Sequence, residues 1–355
     1  MSDAEDMIVV VFTKKGLRGG ELTYFRIAAT ANIDITVGTN EIAVAGTTGI
    51  GGGRSMISVY FVTEDTVNGG VILGQFVEIL PQAGETFFGP RLAHNPNDNK
   101  YLIAYSSDTN ILYSILDPQK NKAVTSAAIP NESAEFDVVY GGDVCNCFDV
   151  IISGDSKFGG DKAIFHWIVD ENNMPAGPII REDNPHDSSG LGAAYHPISG
   201  FIGIMSFGLP TVKRGFSGDT TEFFLREIDA SLSLNLVDSA RTLDAPLDVS
   251  GLPISMDIIP NERGTFLGVS PSDMTRLLYI TVYQSDTQTF KVVPFTAPDD
   301  NPEQPAIAYG SMSCTTALAF NTERDSDGGT VWLFLFGNSM ERMINLKPGQ
   351  CGRRI

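Results

Sequence analysis

One stretch of pattern returns along this chain, and it dictates what the chain can fold into. Leu92-Ala-His-Asn-Pro96 is followed by Asn-Asp-Asn-Lys-Tyr-Leu-Ile-Ala-Tyr-Ser106. The same plan reappears as Ala193-Ala-Tyr-His-Pro197 before Ile-Ser-Gly-Phe-Ile-Gly-Ile-Met-Ser206, and as Met256-Asp-Ile-Ile-Pro260 before Asn-Glu-Arg-Gly-Thr-Phe-Leu-Gly-Val-Ser270. Each reads as a short strand closing on Pro, a tight turn, and a second strand closing on Ser. Gly- and Asp-rich loops flanked by strands also repeat: Phe12 to Tyr24, Phe61 to Leu73, Ile152 to Ile164 and Phe320 to Trp332. A third strand closing on Asp follows, as in Leu112-Tyr-Ser-Ile-Leu-Asp117 and Phe224-Leu-Arg-Glu-Ile-Asp229, and leads to a weaker fourth. Units of this kind cover residues 7–40, 41–88, 89–130, 133–184, 190–245, 252–298 and 304–348. No stretch carries the i, i+3, i+4, i+7 apolar spacing of a surface helix.

A period of ~50 residues with four strands in each is that of a β-propeller blade. A lone four-stranded meander exposes both faces of an apolar sheet, so it needs a neighbour on each side. Closing seven such sheets radially buries both faces of each, which suits strands as continuously apolar as Val331-Trp-Leu-Phe-Leu-Phe336. The strand nearest the axis must be narrow; Ala43-Val-Ala45, Leu92-Ala93, Ala193-Ala194 and Ala306-Ile-Ala308 offer small residues there, while the first unit lacks such a strand. The expected fold is all-β: residues 1–355 as one seven-bladed β-propeller of four-stranded antiparallel blades.

Val169-Asp-Glu-Asn-Asn-Met-Pro-Ala-Gly-Pro178, Ala194-Tyr-His-Pro-Ile-Ser-Gly-Phe-Ile-Gly-Ile-Met205 and Val71-Ile-Leu-Gly-Gln75 resemble the repeat of bacterial surface and secreted β-propeller proteins. The resemblance implies the fold and a secreted or particle-borne setting. It carries over no catalytic residue.

Charge removes several functions. With 24 Lys and Arg against 43 Asp and Glu, the net charge is −19. Such a chain has no basic surplus with which to release the counterions of a nucleic acid, nor to dock on anionic lipid. No apolar run is long enough to span a bilayer as a helix. The acidic segment Met1 to Met7 passes directly into Ile8-Val-Val-Val-Phe12, with no basic leader before it. The expected setting is therefore extracellular or virion-associated by assembly, with the cytoplasm as the other option. Cys145, Cys147, Cys314 and Cys351 are too few for a disulfide framework and are expected as buried thiols, with a Cys314–Cys351 bridge as the alternative.

The candidate binding face is built from the Gly- and Asp-rich loops between second and third strands, where Gly admits close backbone approach and Asp supplies acceptors. They are taken as 13–20, 63–70, 153–161, 207–220 and 321–329, and their chemistry-bearing residues are Asp65, Asn68, Asp155, Asp161, Lys213, Arg214 and Asp219. Asp325-Ser-Asp-Gly-Gly329 places Asp325 and Asp327 at alternate positions, as at the start of a calcium loop, although no downstream bidentate Glu follows. Ca²⁺ is the one candidate ion, and no other cofactor is implied. A propeller glycosidase needs two carboxylates near the axis. The inner strands offer Glu41, Glu135, Asp137 and Asp257, of which Asp137 and Asp257 are the best placed for catalysis. No metal-ligand pair among His94, His166, His186 and His196 and no nucleophile elbow accompany them. The expected function is accordingly non-enzymatic: a structural or binding module of an extracellular particle or virion, whose partners are protein subunits of an assembly or a surface glycan. A lectin or a carbohydrate-active propeller enzyme is the alternative.

Overall fold

In the computed structural model the chain is all-β, and no helix occurs among the described residues. Those residues are 6–11, 23–28, 31–39, 41–64, 71–118, 122–123, 127–130, 135–142, 145–156, 160–170, 180–183, 186–210, 222–229, 236–242, 255–271, 276–298, 302–310, 315–322 and 330–336.

The strands of the described residues assemble, in chain order, into seven antiparallel sheets. The first pairs β1 (Asp6–Val11) with β2 (Thr23–Ala28). The second runs β3 (Ala31–Val37), β4 (Glu41–Gly51), β5 (Arg54–Glu64), β6 (Val71–Ile79). The third runs β7 (Phe88–Asn95), β8 (Lys100–Ser106), β9 (Asn110–Asp117), and both β10 (Lys122–Ala123) and β11 (Ala127–Pro130) pair with the outer edge of β9. The fourth is β12 (Glu135–Tyr140), β13 (Phe148–Ser156), β14 (Gly160–Val169), β15 (Ile180–Asp183). The fifth is β16 (His186–His196), β17 (Phe201–Pro210), β18 (Glu222–Asp229), β19 (Leu236–Thr242). The sixth is β20 (Ser255–Ile259), β21 (Thr265–Pro271), β22 (Leu277–Gln284), β23 (Thr289–Thr296). The seventh shows β24 (Pro302–Gly310), β25 (Thr315–Thr322) and β26 (Thr330–Phe336) among the described residues.

Packing turns these meanders into a β-propeller. The first strands of sheets two to seven contact one another in order, β3 on β7, β7 on β12, β12 on β16, β16 on β20 and β20 on β24. The apolar core is correspondingly not one mass but a series of layers between sheets. Ala43, Ala45, Val59 and Phe61 of the second sheet meet Leu92, Tyr101 and Ile103 of the third. Leu102 and Ala104 of the third meet Val138, Val150 and Phe165 of the fourth. Similar layers join the fourth to the fifth, the fifth to the sixth and the sixth to the seventh. Residues 101–105 of β8 show why that run is apolar throughout. Tyr101, Ile103 and Tyr105 face the layer behind, Leu102 and Ala104 the layer ahead, and all five are fully buried. Seven sheets are compatible with seven blades.

Close approach is set by glycine. A Cβ at Gly203 of the fifth sheet would lie 2.7 Å from the Phe266 ring of the sixth, and one at Gly268 of the sixth would run into Met205 Sδ of the fifth. Each sheet thus presents a large side chain to the other's missing one.

Two strand assignments differ from the sequence expectation. Residues 31–37 pair with β4 in five registered positions, so the second sheet begins at Ala31, and Ala43-Val-Ala45 lies on its second strand. These alanines are small because they sit in the narrow layer against the third sheet, not because they line the axis. Glu41 moves with them to the second strand. Strands β5 and β6 are the third and fourth of the second sheet, so the expected loop 63–70 falls between third and fourth strands in the chain and not between second and third. The turn between second and third strands there is the tight Gly51-Gly52-Gly53, all three at positive φ.

Candidate functional site

Three aspartates repeat on the inner strands. Asp34 of β3 accepts the Leu92 N–H at 2.6 Å through Oδ2, Asp137 of β12 accepts the Ala193 N–H at 2.7 Å, and Asp257 of β20 accepts the Tyr309 N–H at 2.6 Å. In each case the donor is on the first strand of the following sheet, so the carboxylate clips one blade to the next. The other oxygen is used locally: Val138 N–H donates to Asp137 Oδ1 and Ile258 N–H to Asp257 Oδ1, both at 2.8 Å. Ser255 adds a parallel contact, its Oγ accepting the Ile307 N–H at 3.1 Å.

Burial dominates the acidity of these groups. Loss of water pushes Asp137 up to about 7, with Asp34 nearby adding to the rise and Arg91 and the two backbone N–H groups opposing it. Asp257 is pushed up to about 6 by the same desolvation, against the Tyr309 and Ile258 N–H groups. Asp34 is raised too, with Arg91 the strongest opposing influence. Arg91, on β7 between these two acids, brings Nε to 4.0 Å from Asp137 Oδ1 and is about a quarter exposed. Asp34, Arg91 and Asp137 therefore form one charged group across the inner strands of three consecutive sheets.

A second set of polar ties lies at the first-turn end. Glu41 Oε1 accepts from Tyr101 OH at 2.7 Å and from Asn99 Nδ2 at 2.9 Å, joining the second sheet to the third. His94 Nε2 bonds Asn99 Oδ1 at 2.8 Å, and its ring lies against Tyr101. Asn95 and His196 occupy matching ends of β7 and β16, both fully buried. Asn95 Nδ2 donates to Asn146 Oδ1 in the next sheet at 3.0 Å, and His196 Nε2 donates to the Ile259 carbonyl in the next sheet at 2.9 Å. His166 pairs with Asp149 at 2.6 Å inside the fourth sheet, and both are fully buried.

The cysteine expectation is corrected. Cys145 and Cys147 are joined to each other in a disulfide across the β12–β13 turn. They are partners because the turn brings their Cα atoms to 5.1 Å, inside the range a bridge spans. Cys314 and Cys351 lie outside the described residues.

The remaining sequence-derived residues fall as follows. Asp155 lies on β13 at an irregularity of register between Gly154 and Ser156, and Asp161 is the second residue of β14. Asp65, Asn68, Lys213, Arg214, Asp219, Asp325 and Asp327 lie outside the described residues. Among the described residues no three His, Cys, Asp or Glu side chains are grouped so as to hold a metal ion. Sequence reasoning missed Asp34 because its strand was counted into the first unit. The signal was present: Asp34-Ile-Thr-Val-Gly38 parallels Asp137-Val-Val-Tyr-Gly141. Arg91 had no such signal, since its importance comes from the two acids on either side.

No protein-family model and no curated protein matches the chain. Solved structures do. The K499G mutant of NanB sialidase from Streptococcus pneumoniae superposes with a TM-score of 0.59 at 7% identity, covering 89% of this chain and 70% of that one. Trypanosoma rangeli sialidase gives 0.53 at 9% identity, covering 92% of this chain and 58% of that one, so the present chain spans little more than half its length. The β-propeller domain of the trilobed protease from Pyrococcus furiosus gives 0.46 at 12%, covering 86% and 80%. At such identities the likeness to the two sialidases speaks for the fold alone.

Proposed function

We propose that this protein is a non-catalytic β-propeller, a rigid structural or binding module that contacts protein subunits or surface glycans through its loop faces. One observation carries the reading. The inner-strand acids that a propeller glycosidase would need free are spent on the frame, since Asp137 and Asp257 each accept a neighbouring blade's N–H through one oxygen and their own strand's N–H through the other. A carboxyl whose two oxygens are both taken by backbone N–H groups is part of the frame and is poorly placed to transfer a proton to a substrate. The acidic balance of the chain adds that a partner surface would be basic or bridged by cations.

A second reading, action on sialylated glycans, is favoured by one specific arrangement. Arg91 offers a guanidinium beside Asp137, an acid poised at about 7, on adjoining inner strands, and sialidases are among the proteins of similar fold. The two readings separate in one experiment: hydrolysis of a fluorogenic sialoside and of mixed polysaccharides, alongside a glycan array. The first reading expects no turnover, and Asp137→Asn and Asp257→Asn variants changed in stability but not in any binding detected. Turnover abolished by Asp137→Asn or Arg91→Ala would overturn it.

A further inference from the structure

We propose that Cys145–Cys147 is a thiol-exchange site, a reversible dithiol–disulfide centre that takes low-molecular-weight thiols and disulfides of the glutathione class. The bridge joins residues only two apart. Loop-closure entropy removed from an unfolded chain grows with loop length, so a bridge this short adds little to global stability and serves poorly as a staple.

Its surroundings fit reversible chemistry instead. The turn is held without the sulfur bond. Gly141 N–H donates to the Cys147 carbonyl at 2.8 Å, and Asn146 N–H to the Gly142 carbonyl at 3.0 Å. Asn146 Oδ1 accepts Asn95 Nδ2 at 3.0 Å and Asn97 Nδ2 at 3.1 Å from the neighbouring sheet. Those bonds hold Asn146 at its φ of 48° and keep the two Cα atoms facing when the bridge is open. Two thiols kept in register reclose as an intramolecular reaction. Access is one-sided: Cys147 is 1% exposed, whereas Cys145 is only partly buried. Gly141 lies beneath both sulfurs, and a Cβ there would come within 2.9 Å of Cys147 Sγ and 3.1 Å of Cys145 Sγ.

The step follows from that asymmetry. An external thiolate attacks Cys145 Sγ, the Cys145–Cys147 bond breaks, and Cys147 Sγ leaves with the electron pair and takes a proton from solvent. A second thiolate then attacks the external sulfur of the mixed disulfide. It releases Cys145 as a thiol and carries away the oxidised external disulfide, a two-electron reduction balanced by the oxidation of two external thiols. Reoxidation by the external disulfide runs the same path backwards.

The test uses the full chain with Cys314→Ser and Cys351→Ser, treated natively with excess reduced glutathione, then iodoacetamide, with peptide mapping. The expected result is a native label on the partly exposed Cys145, with buried Cys147 recovered as a free thiol by a second alkylating reagent added after denaturation, an unchanged far-ultraviolet circular dichroism spectrum, and loss of both labels after oxidised glutathione. In the same background, Cys147→Ser should take up glutathione from its oxidised form at least tenfold faster than Cys145→Ser. Labelling of Cys145 that needs denaturant, free thiols before any reduction, or equal adduct rates in the two variants would each overturn the proposal. The first two outcomes are read on unsubstituted Cys145 and Cys147 and stand even if a single-cysteine variant fails to fold.

Discussion

Replacing Asp137 by Asn should change the sign of its effect on stability between acid and alkaline pH. The carboxyl is about 16% exposed and its pKa is raised from 3.8 to about 7. Below the unfolded value both states hold the proton and the clip costs nothing. As pH rises from 3.8 toward 7 the unfolded chain releases the proton first, and stability falls with a slope of about 1.4 kcal/mol per pH unit. By pH 8 the loss attributable to this one group is about 4 kcal/mol. Asn cannot ionise, and its Oδ1 still accepts the Ala193 N–H, but the Val138 N–H loses its acceptor, at a cost of about 1 kcal/mol. The variant is therefore expected to be about 1 kcal/mol less stable than the parent near pH 4 and about 3 kcal/mol more stable at pH 8. Urea unfolding followed by tryptophan fluorescence across that range measures it. A stability difference that stays constant from pH 4 to pH 8 would refute the claim that the buried carboxylate, and not its hydrogen bonds, governs the site.

Other expectations follow from the same contacts. Asp257→Ala strands both the Tyr309 and the Ile258 N–H groups, and near pH 3, where the carboxyl is largely protonated in both folded and unfolded chains, it should destabilise by about 2–3 kcal/mol in urea titration. Gly203→Ala places a methyl group against the Phe266 ring, which is itself packed on His196 and Tyr283, and should cost about 1–3 kcal/mol in the same assay. His196, with Nε2 donating to Ile259 and Nδ1 accepting the Ser199 N–H, is held neutral by burial below its ordinary 6.5. Its contribution to stability is present above 6.5 and lost as pH falls, so nitrogen-detected NMR should show the Nε2–H tautomer persisting below pH 6.5.

Much of the fold was legible because its causes are local. The Pro- and Ser-closed strand pairs at 92–106, 193–206 and 256–270 became the first two strands of the third, fifth and sixth sheets. The apolar run of β8 reads as buried on both faces, and it is. The second sheet was cut ten residues late because Ala43-Val-Ala45 looks like an axial strand; smallness alone does not separate an inner strand from a narrow inter-sheet layer. The cysteine pair was misjudged because two thiols at i and i+2 lie on one face of a strand, and only the turn at Asn146 brings them together.

The candidate site divides along the same line. Asp137 and Asp257 could be picked out from the sequence as rare acids on inner strands, yet nothing within reach of either along the chain hints at Ala193 or Tyr309 as a partner. Those donors lie on the next blade, and the clip depends on how far one sheet slides along another. By itself, then, the order of residues determined that two-faced apolar sheets would recur and must cover one another, since alternation and turn chemistry act over a few residues. Only the assembled molecule decided which acids lose their water, which N–H groups they hold and which sulfur faces solvent, because those quantities arise where sheets distant in sequence meet.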